Sequence, residues 1–388
     1  MEKIKTAVLI SLFVFFIGGM YSLPLEYAGA FLVLMTGIIT YVVYGNTKKL
    51  APSKFWLVLL GGISLSFFLG YFHVINSQRF FSQAEKYWGS FLLFTAGYIL
   101  ISTFENIIQI VMKVFISGIA MTSFIGIITL TQTLIDTHRL PLLNTPLGMS
   151  NDYGSILIIG ILLMLGIILF KHILFSRMID RVILGFFCIA LVFVRSDANA
   201  LGLIIGFILL MWPLIPVTKK TFFKIAFIVI FCCTLTVAVH YRHYFLRSGN
   251  AVRIALWHGY SKMILKYPFT GVGLSQMPYH YDEWKVPVPF TKQVRMVEPL
   301  TAHSLPVQYA AENGIPALLL LCFFLYRYWK TCIRKINPYY GVFAGFVAFS
   351  IAALFSNHFF MIRQMLYFWF LAGCYLAHIH QINALKKS

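Results

Sequence analysis

The chain has 388 residues, of which 60% are hydrophobic and 11% are charged, and its formal net charge is +19. About a quarter of the residues of a soluble domain are charged, so this composition excludes a water-soluble protein and predicts one embedded in lipid. In such a protein the basic excess reflects cytoplasmic loops and anionic ligands, and nucleic acid is not an expected partner. The six cysteines fall in apolar runs or short basic loops, so no disulfide framework is predicted.

Apolar runs follow one another along the whole chain. The first run, after Met1–Lys5, is long for a signal peptide and lacks a small-residue cleavage site, so it is expected to be a membrane helix. A membrane helix needs about 20 apolar residues to cross about 30 Å of hydrocarbon. We predict an all-α integral membrane protein with about twelve transmembrane helices, near residues 6–23, 27–44, 55–73, 88–103, 114–132, 153–170, 182–194, 200–216, 222–239, 315–330, 338–356 and 365–379.

The charges of the connecting segments set the predicted orientation. With a cytoplasmic N-terminus, the inside segments contain 18 of the 31 Lys and Arg residues and only three acids. Cytoplasmic loops carry this bias, so both termini are expected to be cytoplasmic. Residues 1–388 are predicted to form a single polytopic membrane domain. Residues 240–314 are its one large loop on the opposite side, between the ninth and tenth helices.

The large loop is predicted to contain short amphipathic helices. Residues Asn250 to Tyr267 mix apolar and basic side chains at helical spacing, and Pro268 ends the run. A turn with two glycines follows over residues 268–274. A second short helix is expected from Leu305 to Asn313. Two such helices lying across the mouth of a helical bundle would form a lid over a cavity.

A lone arginine, Arg195, interrupts the connection between two very apolar spans. A guanidinium at the edge of hydrocarbon is costly and indicates a partner or an anionic ligand. An ion pair with Asp197, or extension of the side chain to lipid phosphate, would explain this residue equally well.

Three segments resemble motifs of the O-antigen ligase and O-antigen polymerase superfamily of bacterial envelope glycosyltransferases. The first is Arg195 at the outer end of a span, although Val194 precedes it where the family has Ser or Thr. The second resembles the family's Arg-x-x-x-Trp helix and Pro-x-x-Gly-x-Gly turn: Arg253-Ile-Ala-Leu-Trp257 and Pro268-Phe-Thr-Gly-Val-Gly273. The third is similar to the family's His-Asn-x-x-x-Gln-x-x-x-Glu-x-Gly segment: His303-Ser-x-x-x-Gln308-x-x-x-Glu312-Asn-Gly314.

The resemblance extends over nearly the whole chain. Residues Asn144 to Tyr153, which open the sixth span, look like the family's Asn-rich loop. The predicted number of spans and the large loop before the tenth span also agree with the family. Ser304 replaces the usual Asn after the histidine.

The resemblance implies a glycosyltransferase of the bacterial inner membrane that moves a glycan from undecaprenyl pyrophosphate to an acceptor hydroxyl on the periplasmic face. Pyrophosphate needs fixed positive charge, and a guanidinium pairs with two phosphate oxygens. Arg195 and Arg253 are the implied pyrophosphate ligands, with Arg247 a weaker third. His303 is the implied general base, because neutral imidazole accepts a proton near pH 7. Displacement without a covalent intermediate would invert the anomeric carbon.

Neither a metal nor another cofactor is expected. The outside segments contain no Asp-x-Asp motif, and arginines would take the place of a divalent cation on the pyrophosphate. The pairs His240-x-x-His243 and Asp282-Glu283 are candidate ligands, but two residues do not make a metal site.

Several functions fit these motifs. The favoured acceptor is lipid A–core, as in an O-antigen ligase of lipopolysaccharide biosynthesis. A polymerase that extends the lipid-linked glycan needs the same leaving-group site and is the alternative. A protein-glycosylating oligosaccharyltransferase would usually carry further soluble sequence after the last span. A non-catalytic transporter of lipid or glycan would show charges within its spans and repeated halves, and this sequence has few such charges and no repeat.

Simpler explanations apply to the same residues. Without the resemblance, His303 is better explained as a helix cap, and Arg253 could cover the flank of the lid or bind lipid headgroups. The other basic residues outside are expected to face solvent or lipid: Arg139, Arg242, Lys262, Lys266, Lys285, Lys292, Arg295 and Arg363. Loop aromatics could stack on sugar rings or pack the lid: Trp257, Tyr260, Tyr279, Tyr281 and Trp284.

Overall fold

The computed structural model describes residues 2–45, 54–104, 106–137, 143, 145–146, 150–216, 249–280, 283–284, 301–333 and 335–385. All regular elements in these ranges are helical. The first eight helices are α1 (Glu2–Tyr21, with a π-helical turn at Val14–Gly18), α2 (Leu23–Tyr44), α3 (Lys54–Leu69), α4 (Ser77–Thr103), α5 (Ile107–Thr137), α6 (Ser150–Leu169), α7 (Arg177–Val194) and α8 (Asp197–Met211). The others are α9 (Gly249–Lys266), α10 (Met277–His280), α11 (Leu305–Cys332), α12 (Tyr340–Ala353) and α13 (Ile362–Leu385).

The predicted spans coincide with helices wherever the chain is described. The predicted ninth span, 222–239, lies outside the described residues. Among the described helices, seven are long and apolar enough to cross a membrane: Glu2–Tyr21, Leu23–Tyr44, Lys54–His73, Ile107–Asp136, Asn151–Leu169, Asp197–Leu214 and Leu305–Cys332. The prediction of a multi-pass helical membrane protein is therefore confirmed, whereas the number of twelve spans stays a prediction.

The structure divides into two compact units. The first comprises Met1–Ser64, Ala84–Leu210 and Leu321–Ser388. Its best-packed pair is α6 and α12, where a Cβ on Gly341 would collide with the carbonyl group of Leu162. Small residues allow two membrane helices to approach this closely, and the approach increases their van der Waals contact.

Helix ends of the first unit meet in two separate groups. Contacts in one group join the starts of α2 and α6 to the segment that begins α13: Glu26–Arg363 and Asp152–His358. Contacts in the other group join segments at the opposite ends of these helices: Tyr44–Phe104, His172–Tyr339 and Tyr339–His378. Each of the three helices thus has contacts of this kind at both of its ends, and the predicted alternation across the membrane stays a prediction. The loop charges predict that the second group is cytoplasmic.

The second unit comprises Leu65–Gln83 and Met211–Leu320. Its described part contains α9, α10 and the first half of α11, packed around a buried apolar cluster: Leu256, Tyr260, Met263, Val272, Met277, Ala302 and Ala311. A helix is present as α9 where an amphipathic helix was predicted over 250–267, but Ile254 and Leu265 are exposed. The predicted short helix Leu305–Asn313 is continuous with the tenth span in α11, and the backbone breaks at Gly314 (φ 82°, ψ 164°). The predicted lid includes residues 240–248 and 285–300, which lie outside the described residues.

The close approach of α6 and α12 gives a test of the fold. Gly341→Ala is expected to destabilise the protein by about 1–3 kcal/mol, because the added methyl group must displace the backbone of α6. The matched control is Gly185→Ala in α7, since no described atom outside the adjoining chain and the backbone of its own helix lies within 4 Å of the methyl group that it would add. The measurement is the thermal unfolding midpoint of the detergent-solubilised protein. An equal change in both variants would contradict this packing.

Candidate functional site

The glycine turn and the histidine motif form one structure in the second unit. The backbone N–H groups of Val272 and Gly273 donate to the carbonyl oxygens of Ala311 and Glu312, each at 2.9 Å. Gly271 has φ +66°, and a Cβ at this position would collide with the backbone of Glu312. Glycine alone adopts this conformation without strain and leaves room for the second backbone. Two motifs separated in sequence therefore meet through main-chain hydrogen bonds.

A second junction joins the ends of the same two segments. The N–H of Ile315 donates to the carbonyl oxygen of Pro268 at 2.7 Å. A Cβ on Gly314 would collide with the carbonyl oxygen of Phe269. The break in α11 is thus fixed by the turn that packs on it.

A buried glutamine holds the segment that precedes α11. The Gln308 side chain accepts a hydrogen bond from the N–H of Ala302 at 3.1 Å and donates to the Glu312 carboxylate at 3.0 Å. Both side chains are buried. A buried amide that is satisfied in this way fixes the backbone to which it bonds. The glutamine and glutamate of the motif therefore position the chain next to His303.

Trp257 joins α9, the helix that contains Arg253, to the segment that precedes α11. Its indole Nε1–H donates to the carbonyl oxygen of Ala302 at 2.8 Å. Arg253 lies four residues before Trp257 in α9, and residues with this spacing share one face of a helix. Arg253 is half-buried and lies one helical turn from the bond to Ala302, the residue before His303.

His303 has a left-handed backbone conformation, with φ 51°. Such a conformation costs a non-glycine residue about 1–3 kcal/mol and is concentrated at functional sites. The first intrahelical hydrogen bond of α11 runs from the N–H of Gln308 to the carbonyl oxygen of Ser304. Ser304 is therefore the N-cap residue by its backbone hydrogen bond, and His303 is the residue before it.

A buried glutamine joins the turn to the segment between α3 and α4. Gln276 accepts hydrogen bonds from the N–H groups of Ile75 and Asn76, at 3.0 and 2.8 Å, and donates to the carbonyl oxygens of Asn76 and Leu274. The bonds between Gln276 and Asn76 span 200 residues of sequence. Sequence reasoning missed this residue, because an isolated glutamine carries no signal of its partner.

Arg195 belongs to the first unit and ends α7 in a left-handed conformation (φ 48°, ψ 44°). Its side chain is exposed. Among the described residues no ion pair joins Arg195 to Asp197 or to another acid. The ion-pair explanation for Arg195 is therefore not supported there.

The junction that presents Arg195 is tightly packed. Asn199 is buried and donates from Nδ2 to the carbonyl oxygen of Asn151 at 2.9 Å, which joins α8 to the start of α6. A Cβ on Gly154 would lie 2.6 Å from Val194 and even closer to Asn199. The Asn-rich segment that opens α6 thus supports the residue before Arg195 and the helix after it.

Two pairs of ionisable residues in the first unit were missed. The Arg363 Nε atom lies 3.1 Å from an oxygen of the fully buried Glu26 side chain, and the guanidinium also donates to the carbonyl oxygen of Pro146. The prediction that Arg363 faces solvent or lipid is therefore wrong. The only sequence signal was an acid within an apolar run, which requires a partner in a membrane.

The second missed pair is His358 and Asp152, whose Nδ1 and Oδ1 atoms are 3.9 Å apart. His358 is fully buried in the short connection between α12 and α13. Burial lowers its pKa against the opposing effect of Asp152, so a neutral imidazole is favoured.

Some predicted residues lie outside the described ranges: Arg247, Asn144, His240, His243, Asp282, Tyr281, Arg139, Arg242, Lys285, Lys292 and Arg295. Lys266 is exposed, pairs with Glu283 at 3.4 Å and lies over the Trp284 ring, so it is a surface charge. Lys262 is also exposed. In the part of the chain that the structure describes, no three His, Cys, Asp or Glu side chains are grouped so as to hold a metal ion.

Long apolar helices, together with a compact cluster of arginine, histidine and buried amides, define a multi-pass membrane protein with a candidate site for an anionic ligand. Residues 182–322 match the family model Wzy_C, described as O-Antigen ligase. All three motifs lie within the match, which confirms the resemblance drawn from them. No curated protein matches the chain at a significant level.

The bond between Trp257 and Ala302 gives a test of the site. Trp257→Phe keeps the ring but removes the donor, and is expected to ease opening of the 301–304 segment by about 1 kcal/mol. The measurement is amide hydrogen exchange of residues 302–304. Trp284→Phe is the matched control, because the Trp284 Nε1–H has no hydrogen-bond partner among the described residues. Equal exchange in wild type and Trp257→Phe would contradict the role of this bond.

Proposed function

We propose that the protein is an O-antigen ligase that transfers a glycan from undecaprenyl pyrophosphate to a hydroxyl group of lipid A–core, on the periplasmic face of the bacterial inner membrane. The observation that carries the proposal is the Trp257–Ala302 hydrogen bond, which brings the helix of Arg253 next to His303 within the segment that matches the family. A polymerase would use the same groups with a different acceptor.

The proposed reaction is a single displacement. The acceptor oxygen forms a bond to the anomeric carbon while the bond from that carbon to the pyrophosphate oxygen breaks. His303 accepts the proton of the acceptor hydroxyl, and undecaprenyl pyrophosphate leaves with the bonding electron pair. The anomeric configuration is therefore inverted, and no metal ion is required.

Arg253 is the proposed ligand of the pyrophosphate in the second unit. Its guanidinium stays protonated and can bond two phosphate oxygens at once. Charge accumulates on these oxygens as the glycosidic bond breaks, so the same group would stabilise the transition state. The half-buried position favours this role, because a partly desolvated charge interacts more strongly than an exposed one.

Arg195 and Arg247 are also proposed as ligands of the pyrophosphate, for reasons that differ from those for Arg253. Arg195 is exposed, strained and without an ion pair among the described residues. Arg247 is the weaker candidate and rests on sequence alone.

The experiment that tests the proposal is reconstitution with undecaprenyl-linked glycan and one of two acceptors. Elongation of lipid A–core supports the ligase. Elongation of a second lipid-linked glycan supports the polymerase instead. Transport of the glycan without transfer to either acceptor would contradict both.

Removal of the imidazole should abolish transfer. His303→Asn is expected to lower the rate by about 100-fold or more, since a general base contributes factors of this size. Asparagine tolerates a left-handed backbone, so this variant should keep its fold and membrane insertion. His258→Ala, an exposed histidine on α9, is the control. Wild-type transfer by His303→Asn would remove this histidine from the mechanism.

A lysine should not replace the arginine of α9. Arg253→Lys is expected to be nearly as damaging as Arg253→Ala, because a point charge cannot bond two phosphate oxygens in one plane. Initial rates with undecaprenyl-linked glycan provide the measurement, and Lys262→Ala on the same helix is the control. Restoration of the wild-type rate by lysine would show that bidentate binding is wrong.

A further inference from the structure

A basic cavity lies in the first unit, at the connection between α6 and α7. It occupies about 380 Å³ between the end of α6 and the start of α7 and is lined by Ile168, Lys171, His172, Arg177, Asp180 and Arg181. Its residues lie in the connection that the loop charges assign to the cytoplasm. The reaction proposed above does not use this cavity.

The one acid in this lining is engaged by backbone N–H groups, and three basic side chains line the same cavity. Asp180 is buried, and its two carboxylate oxygens accept hydrogen bonds from the N–H groups of Leu174 and Phe175, at 3.0 and 3.1 Å. The carboxylate thus closes the turn before α7. No ion pair of the described residues includes Lys171, Arg177 or Arg181.

The positive groups are arranged around a common space. Arg177 and Arg181 lie four residues apart in the first turns of α7, so like charges share one helix face and repel each other. The N-terminus of α7 adds the positive end of a helix dipole. Lys171 faces the same cavity from the opposite side of the turn, in a left-handed conformation (φ 55°). A bound anion would offset all of these contributions.

An exposed apolar stripe begins beside the cavity. Met178, Val182, Ile189 and Val192 follow one face of α7, and Met178 and Val182 are 76% and 60% exposed. Side chains of this kind on a membrane helix face acyl chains. A charged cavity next to such a stripe fits an anion that carries an apolar tail.

We propose that this cavity binds the phosphate group of an anionic phospholipid. Arg177 and Arg181 bond the phosphate oxygens, Lys171 adds charge from the turn, and the acyl chains lie along Met178 and Val182. Basic pockets of this kind between membrane helices bind the headgroups of anionic lipids on the cytoplasmic side.

The test uses the full chain in phosphatidylcholine nanodiscs that contain increasing amounts of cardiolipin. Cardiolipin is expected to raise the thermal unfolding midpoint of the wild type, and Arg177→Gln/Arg181→Gln should weaken its apparent binding by about tenfold or more. Arg177→Lys/Arg181→Lys keeps the charge and should retain part of the effect. The control Lys54→Gln/Lys330→Gln removes two charges elsewhere and should respond as the wild type does.

Each outcome supports or overturns the proposal. A cardiolipin effect that Arg177→Gln/Arg181→Gln loses and the control retains supports it. Equal loss in both variants, or no cardiolipin effect in the wild type, overturns it. Inorganic phosphate, added in place of cardiolipin, distinguishes the source of the phosphate. An equal rise of the midpoint with inorganic phosphate would keep a phosphate site but overturn its assignment to a lipid.

Discussion

The second unit depends on a short stretch of main-chain pairing between the glycine turn and the end of the histidine motif. Val272 and Gly273 donate to the carbonyl groups of Ala311 and Glu312. This pairing requires a backbone without side chains at Gly271 and Gly314. Without it, the amide of Gln308 and the indole of Trp257 would have no fixed segment to bond, and neither Arg253 nor His303 would have a defined position.

The charged groups of the first unit have different surroundings. Glu26 and Arg363 are paired with each other within the first unit. Arg195, in contrast, is held by close packing of its neighbours and is left without an acid among the described residues. A paired arginine is a structural element, whereas an unpaired one at a strained position has its charge available for a ligand. Asp180 differs from Arg177 and Arg181 in a similar way: its carboxylate accepts two backbone hydrogen bonds, whereas the arginines have no ion pair among the described residues.

Hydropathy and local turn chemistry predicted the elements well, because both act over a few residues. The apolar runs predicted the helices, and Pro268 with its glycines predicted the turn. Contacts between distant segments could not be predicted in this way. The pairing of Arg363 with Glu26 joins residues more than 300 positions apart, and Gln276 bonds a loop 200 residues earlier. The resemblance identified His303, Gln308 and Glu312, but their hydrogen bonds appear only in the structure.

The break at Gly314 has a mechanical consequence. At an ordinary kink, unpaired backbone groups leave the helix free to bend. Here the N–H of Ile315 donates to the carbonyl oxygen of Pro268, and Pro316 has no N–H group. The break therefore leaves neither of these two residues with an unpaired N–H group. A corner of this kind is stiff. If lipid or a bound substrate displaces the first turns of the tenth span, the segment that contains His303 would therefore move together with them.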